Sequence, residues 1–184
     1  GIPVDFPEAV TREAVDVSRA ALSLSGREDL RAIPLITIDP EDARDHDDAV
    51  YAEPDTDPAN KGGHIVYVAI ADVAHYVRPG SALDHEAAKR GNSTYFPDRV
   101  VPMLPHELSS DKCSLREGEE RACLAVRMVL DAKGQKRHHR FVRGLMRSAA
   151  RLTYAEVEDA INGRPGPRTA PLMARIITPL LAAY

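Results

Sequence analysis

The sequence has few cysteines and no apolar segment as long as a membrane helix. Its two cysteines, Cys113 and Cys123, are too few for a disulfide scaffold, and no histidine or cysteine near them has zinc-site spacing. No apolar run approaches the roughly 18 residues that a bilayer-spanning helix requires, so we expect no membrane partner. The first residues also lack the charged and apolar regions of a signal peptide. These absences favour a reducing, cytoplasmic setting.

Length and composition are typical of one globular domain. The chain has 184 residues, of which 43% are hydrophobic and 28% charged, values that exclude an intrinsically disordered chain. A chain of this length can bury a single hydrophobic core. We therefore expect one domain over residues 1–184, and we expect it to be a monomer.

The net charge of −4 conceals an uneven distribution. Between residues 37 and 57, nine acidic side chains face a single arginine, Arg44, so this window carries a charge of −8. The remaining residues comprise 23 basic and 19 acidic side chains, a charge of +4. A mildly acidic sum argues against a nucleic-acid partner, but the basic remainder weakens that argument. The distribution instead indicates one intensely acidic site on a mildly basic body.

Apolar periodicity and turn residues predict a mixture of helices and strands. Helices are predicted over residues 7–23 and 154–161 and from about Pro171. Capping-box patterns mark helix starts at Ser81 and Thr153. Strands are predicted at residues 35–38, 49–51, 65–71, 123–130 and 137–145, the last two joined as a hairpin. The run 65–71 is apolar enough for a central strand covered on both faces. The expected fold is α+β, a mixed β-sheet with surrounding helices.

The sharpest chemical feature is a set of aspartates between two predicted strands: Asp39, Asp45, Asp47 and Asp48. Crowded carboxylates raise one another's pKa because like charges repel, and a divalent cation relieves that repulsion. Aspartate oxygens suit Mg²⁺ or Mn²⁺, which complete their coordination with water and substrate phosphate. Two such ions about 3.5–4 Å apart can bind the attacking water and the leaving oxygen of a phosphodiester hydrolysis. The aspartates therefore predict a Mg²⁺ site, with Mn²⁺ as the alternative.

Other interpretations of the aspartates are weaker. A solvated acidic loop would not place Asp39 at the end of a buried strand, where an unpaired carboxylate is costly. An EF-hand calcium loop fails on spacing: counted from Asp45, the required glycine is Val50 and the required glutamate is Thr56. A His-Asp pair within the run is similar to the metal pair of helical phosphohydrolases, but it lies here between predicted strands.

The run from Ile36 to Val50 resembles the catalytic motif of the ribonuclease II and ribonuclease R exoribonucleases. Further matching motifs follow in family order, at residues 68–73, 95–97, 102–105, 108–109, 113–115 and 150–154. The resemblance spans roughly residues 26–163 and is closest to the ribonuclease R branch. Several ordered motifs together are more specific than the aspartates alone. They imply the α+β catalytic domain of that family, the RNB domain.

The resemblance implies a processive 3′→5′ exoribonuclease that hydrolyses single-stranded RNA to nucleoside 5′-monophosphates with Mg²⁺. By motif position, the four aspartates hold the metal ions, and Asp47 is needed for chemistry more than for RNA binding. Tyr95 matches a tyrosine that stacks on the terminal nucleotide, a sequence-tolerant contact; a half-buried core tyrosine is the alternative. Tyr154 is similar to a residue near the 3′-terminal nucleotide, with a structural role at a helix start as the alternative.

The sequence also departs from the family pattern. Pro40 stands where relatives often have glycine, and His46 where a hydrophobic residue is common; neither change removes a carboxylate. The family's catalytic domain is longer, so we expect residues 1–184 to be its N-terminal half, without the flanking cold-shock and S1-type domains. The second half supplies an arginine near the scissile phosphate, and electrostatic stabilisation of developing charge is a major catalytic term. The isolated chain is therefore expected to bind metal but to be a poor enzyme.

Two features leave alternatives open. Asp72 ends a predicted strand and either supports the metal site or caps a turn. Residues 132–155 contain no acid and these bases: Lys133, Lys136, Arg137, Arg140, Arg143, Arg147 and Arg151. The bases either follow an RNA backbone or protect an exposed sheet edge. The leading function is the exoribonuclease, and the alternatives are a non-catalytic RNA-binding module of the same fold and a metal-dependent phosphohydrolase of small substrates.

Overall fold

The computed structural model describes residues 3–184 and contains nine β-strands and five α-helices within them. The strands are β1 (Glu28–Asp29), β2 (Ile36–Asp39), β3 (Asp48–Pro54), β4 (His64–Ala71), β5 (Thr94–Tyr95), β6 (Val100–Val101), β7 (Glu120–Leu130), β8 (Lys136–Arg147) and β9 (Ala150–Thr153). The helices are α1 (Glu8–Ser18), α2 (Val73–Tyr76), α3 (Ala82–Arg90), α4 (Tyr154–Ile161) and α5 (Thr178–Ala183). Among the described residues no helix combines the length and the apolar character needed to cross a bilayer.

Seven strands form one mixed sheet in the order β1-β8-β7-β4-β3-β2-β9. Its neighbours are antiparallel from β8 through β2, whereas β1 on β8 and β9 on β2 pair in parallel. Strands β5 and β6 form a separate antiparallel ribbon. The predicted α+β class, a mixed sheet with surrounding helices, is confirmed.

The hydrophobic core lies on one face of the central strands. Ala49, Ala69 and Ala125 stand side by side on β3, β4 and β7 and are almost completely buried. The core also includes Val10 of α1 and Leu83 of α3. Successive side chains of a strand point to opposite faces, so small residues on this face leave room for the larger side chains of the helices.

The opposite face of the central strands is less covered than the sequence predicted. Ile70 of β4 and its register partner Leu124 of β7 are each 46% exposed, and Phe141 of β8 is 65% exposed. The prediction that residues 65–71 are covered on both faces is therefore wrong. Continuous apolar character cannot distinguish a strand buried on both faces from one with a partly exposed apolar face.

The predicted helix starts are confirmed, but two helix extents differ. The Ser81 hydroxyl accepts a hydrogen bond from Asp84 N, and Thr153 and Glu156 form a complete capping box. Helix α1 ends at Ser18, before the predicted end, and Ser18 Oγ donates to Val15 O there. The segment predicted as one C-terminal helix is divided into three pieces. These are a 3₁₀ turn (Ala170–Leu172), a π-helical turn (Met173–Ile177) and α5. Prolines near the starts of the first and last pieces lack the N–H that a continuous helix would need.

Strand β6 lies in a segment that contains no predicted helix or strand. A π-helical turn, Leu108–Lys112, then leads toward β7. Strand β6 pairs with β5 through Tyr95 and Val100. This ribbon places Tyr95 beside Asp45 of the loop that follows β2, a contact that the local sequence pattern did not predict.

Candidate metal site

The sheet brings the four predicted aspartates to one end of β2 and β3. Asp39 is the last residue of β2 and Asp48 is the first residue of β3. Because these strands are antiparallel neighbours, the end of one lies beside the start of the other. Asp45 and Asp47 belong to the connecting loop. Ile36 is completely buried. Because this residue fixes β2 in the core, it also fixes the position of Asp39 at the end of the strand.

All four aspartates line one open cavity of about 660 Å³. Tyr95 and Phe96 from the β5–β6 ribbon form another wall, and Ser109 and Ser110 also line it. Within residues 3–184, no three His, Cys, Asp or Glu side chains lie close enough together to coordinate one metal ion in their present positions. The structure therefore gathers the carboxylates around shared space without a closed coordination shell.

The cavity places the carboxylates where they repel one another. Burial raises the pKa of Asp47, and the charges of Asp45, Asp48 and Asp39 raise it further. Burial and the charge of Asp39 likewise raise the pKa of Asp48. This repulsion is what a bound cation relieves. Oxygen donors of this kind fit Mg²⁺ or Mn²⁺ in their chemistry.

Asp39 is held by His46, a residue for which the sequence predicted no contact with the aspartates. His46 Nδ1 lies 2.8 Å from Asp39 Oδ2. An ionised carboxylate only accepts hydrogen bonds, so Nδ1 carries the proton of this contact. His46 is 5% exposed, and its backbone N–H donates to Ser114 Oγ at 3.0 Å. The residues His46 and Ser114 are 68 positions apart, so no local pattern could have revealed the contact.

Tyr95 lies beside the carboxylates with its ring exposed. Its hydroxyl donates to Asp45 Oδ2 at 2.9 Å, while 65% of the residue remains accessible. The bond to Asp45, together with burial, raises the pKa of Tyr95 to about 12. This exposure contradicts the alternative of a half-buried core tyrosine. Stacking of Tyr95 on a nucleotide stays a prediction.

Tyr154 lies outside the group of residues that line the aspartate cavity. It is the first residue of α4 and is 61% exposed. The preceding residue, Thr153, is the register partner of Asp39 in the parallel β2–β9 pair. Tyr154 thus lies near the end of β2 but does not line the aspartate cavity. Its contact with RNA stays a prediction.

Asp72 has neither of its two expected roles. It is the N-cap residue of α2, but its side chain makes no capping hydrogen bond, and it does not line the aspartate cavity. Instead its Oδ2 accepts from Arg27 Nη2 at 2.8 Å, and both side chains are nearly buried. Asp72 therefore forms a buried ion pair that ties the segment before β1 to the end of β4.

Several arginines of the basic stretch are engaged within the protein. Both terminal nitrogens of Arg140 bond to the carboxylate of Glu28. Arg147 bonds to Glu120 at 2.7 Å, and Arg137 bonds to Asn60 and to a backbone carbonyl. These contacts reduce the positive charge available to a phosphate backbone and so weaken the RNA interpretation, while protection of a sheet edge stays a prediction.

Known proteins resemble this chain in sequence and in fold. Residues 27–182 match the family model described as RNB domain. Ribonuclease R of Vibrio parahaemolyticus is 47% identical over 164 residues, which is 88% of this chain and 19% of that protein. The chain thus spans about a fifth of the length of such curated relatives.

Two solved structures share the fold. RNase R of Mycoplasma genitalium, in complex with ribose-methylated single-stranded RNA, is 29% identical with a TM-score of 0.86, covering 98% of this chain and 27% of that one. Yeast Ssd1, described as a pseudonuclease, is 20% identical with a TM-score of 0.67, covering 80% of this chain and 18% of that one. The second likeness shows the fold alone.

Proposed function

The chain belongs to the RNB domain family, and we propose that it is the metal-binding part of a ribonuclease R-type exoribonuclease. In this role the whole protein hydrolyses single-stranded RNA from the 3′ end to nucleoside 5′-monophosphates. The observation that carries the proposal is the cavity shared by four aspartates and an exposed tyrosine. The identity to ribonuclease R over most of the chain supports the same assignment.

Asp39, Asp45, Asp47 and Asp48 are the residues that would hold Mg²⁺, with Mn²⁺ as the alternative. Their all-oxygen donor set and their mutual repulsion support this assignment. Bound divalent ions supply Lewis-acid catalysis for phosphodiester hydrolysis. Hydrogen bonds from His46 and Tyr95 orient Asp39 and Asp45. Orientation of ligating carboxylates by such partners is a general feature of protein metal sites.

We propose that Tyr95 stacks on the terminal nucleotide. Its hydroxyl is fixed by Asp45 while its ring is exposed, so little side-chain freedom is lost when a base packs on it. Tyr154 is the second proposed RNA contact, on the basis of its motif position and its exposure. The proposed partner is therefore single-stranded RNA.

We also propose a cytoplasmic, monomeric protein. Both cysteines are free and buried, which suits a reducing compartment. A membrane partner is not part of the proposal.

A non-catalytic RNA-binding module is the second candidate function. It is favoured by the absence, among residues 3–184, of three side chains grouped closely enough to hold a metal. Fold alone does not establish catalysis, and yeast Ssd1, which shares this fold, is described as a pseudonuclease.

The test uses the full-length protein with single-stranded RNA labelled at the 3′ or the 5′ end, with Mg²⁺ or EDTA. Labelled mononucleotide is expected first from the 3′-labelled RNA, and only with Mg²⁺. Asp47→Asn should abolish its release while retaining RNA binding. The matched control is Asp16→Asn, an exposed aspartate of α1. Endonucleolytic fragments, or full activity of Asp47→Asn, would overturn the mechanism. RNA binding without any cleavage would establish the second candidate.

A further inference from the structure

The loop that carries Asp45 and Asp47 contains no helix or strand between Asp39 and Asp48. Its backbone is held instead at His46, which donates its N–H to Ser114 Oγ at 3.0 Å. The His46 carbonyl accepts from Leu115 N at 2.8 Å. The residue between the two loop aspartates is therefore fastened on both sides to residues 114–115.

Ser114 is itself held rigidly. It is completely buried, and its carbonyl accepts a hydrogen bond of 2.9 Å from Arg121 Nε. Arg121 is 3% exposed and also bonds to Glu119 Oε2 at 2.7 Å. Loss of a partner of a buried guanidinium strongly destabilises the fold. The bonds of Arg121 therefore resist displacement of the segment around Ser114.

The same contact reaches the end of β2. The ring of His46 is bonded to Asp39 at 2.8 Å, while its backbone is bonded to Ser114. One residue thus connects Ser114 to a carboxylate at the start of the loop and flanks two others. Water cannot readily replace a lost bond here, because Ser114 and His46 are both buried.

We propose that Ser114 is a positioning residue that holds His46 so that Asp39, Asp45 and Asp47 face the cavity in which they would bind a cation. The proposal rests on the proposed function, since it assigns these aspartates to a metal. Ser114 does not line the aspartate cavity, so its proposed effect on a cation acts through His46. Its hydroxyl oxygen accepts the His46 N–H, and an alanine at position 114 leaves that buried donor without its partner.

The first test compares the Mn²⁺ affinities of wild-type, Ser114→Ala and Ser148→Ala full-length proteins by calorimetric titration. Ser148 is a matched control because it is 2% exposed and its hydroxyl bonds to Ala150 O at 3.1 Å, outside the loop. Loss of a partner that orients metal ligands weakens metal affinity by about 10-fold to 100-fold. We expect about a tenfold loss for Ser114→Ala and an unchanged affinity for Ser148→Ala. Equal affinities in all three, or equal losses in both variants, would overturn the proposal.

The second test needs no metal, and its first readout uses the wild type alone. Hydrogen exchange of the His46 amide in the metal-free wild type should be much slower than that of Arg44 in the same loop, and Ser114→Ala should accelerate it. Fast exchange of the wild-type His46 amide would overturn the proposal. If the wild type binds no Mn²⁺ although this amide is protected and responds to Ser114→Ala, the proposed function fails while Ser114 still holds the loop.

Discussion

Tyr95 Oη donates a hydrogen bond of 2.9 Å to Asp45 Oδ2, which joins the β5–β6 ribbon to the aspartate loop across 50 positions of sequence. A tyrosine hydroxyl with its ordinary pKa of about 10 is already protonated at neutral pH. This bond and burial raise the pKa of Tyr95 to about 12, so the hydroxyl remains a donor in alkaline solution as well. The ring is 65% exposed. One side chain therefore binds a carboxylate with its hydroxyl and leaves its ring exposed, as the proposed stacking on a base requires.

Removing the ring of Tyr95 should weaken RNA binding more than removing its hydroxyl. Tyr95→Ala is expected to lose about 1–3 kcal/mol of single-stranded RNA affinity, the usual contribution of one stacked base. Tyr95→Phe keeps the ring and should bind RNA nearly as the wild type does. Fluorescence anisotropy with labelled RNA in EDTA measures both. Phe141→Ala, at another aromatic residue that is 65% exposed, is the control, and wild-type affinity of Tyr95→Ala would contradict stacking.

Neutralising Asp48 should stabilise the metal-free protein. Its pKa is raised by burial and by Asp39, so the folded state holds the proton more tightly than the unfolded state. Ionisation of Asp48 at neutral pH therefore destabilises the fold. We expect Asp48→Asn to raise the Tm in EDTA by about 1–3 °C, a small effect because solvent in the cavity screens the repulsion.

Differential scanning fluorimetry at several pH values measures this effect. The advantage of Asp48→Asn should shrink as the pH falls through the raised pKa, because the wild-type carboxyl then also becomes neutral. Added Mn²⁺ should raise the Tm of the wild type more than that of the variant, since a ligand of the folded state stabilises it. A lower Tm of Asp48→Asn in EDTA would contradict the repulsion.

Breaking the buried pair of Arg27 and Asp72 should destabilise the fold strongly. The two side chains are 7% and 5% exposed and lie 2.8 Å apart, and removal of one partner from such a pair costs about 3–5 kcal/mol. We expect Arg27→Met to lower the free energy of unfolding in urea by about 3 kcal/mol, since Arg143 near Asp72 compensates in part.

The double variant Arg27→Met/Asp72→Leu should recover most of the loss, because no charge then remains unpaired. Arg12→Met removes an exposed pair with Glu8 and should change the unfolding free energy by less than about 0.5 kcal/mol. A loss below about 1 kcal/mol in Arg27→Met would show that the buried pair is not a structural tie.

The paired arginines of β8 should contribute little to RNA binding. Three full phosphate contacts would reduce the salt slope for single-stranded RNA by about 2. Arg140 and Arg147 are already bonded to Glu28 and Glu120. We therefore expect Gln substitutions at positions 140, 143 and 147 together to reduce the salt slope by less than about 1. RNA affinity measured over a salt series gives the slope. Arg12→Gln is the control. A reduction of the salt slope by about 2 in the triple variant would show that these arginines contact the RNA backbone.

Both cysteines should be inert in the native protein. Burial raises the pKa of Cys113 to about 12 and that of Cys123 to about 11, and the thiolate is the reactive form. Ellman's reagent at mildly alkaline pH should label neither thiol in the folded protein and both in guanidinium. Ala21→Cys, at an exposed position, should react at once. Rapid labelling of either native cysteine would show that the core opens around it.

Local sequence signals predicted the elements that adjacent residues specify. The Thr153–Glu156 capping box lies within one helical turn, and the structure contains both of its hydrogen bonds. The convergence of Asp39 and Asp48 was also predictable, because β2 and β3 are consecutive strands that pair directly. The predictions for the end of α1 and for the C-terminal helix were less accurate, because weak periodicity indicates that a helix is present better than it indicates where the helix ends.

The amino-acid sequence was sufficient to indicate the α+β class, the family and the four carboxylates of the candidate metal site. Only the tertiary structure decided which distant groups hold them: Tyr95 on Asp45, and Ser114 on His46. It also showed that Asp72 pairs with Arg27, 45 positions away, rather than capping a turn. Periodicity and motifs report on neighbours along the chain. A hydrogen bond depends on a few ångströms between atoms, and between remote segments that distance is set by packing of the whole sheet.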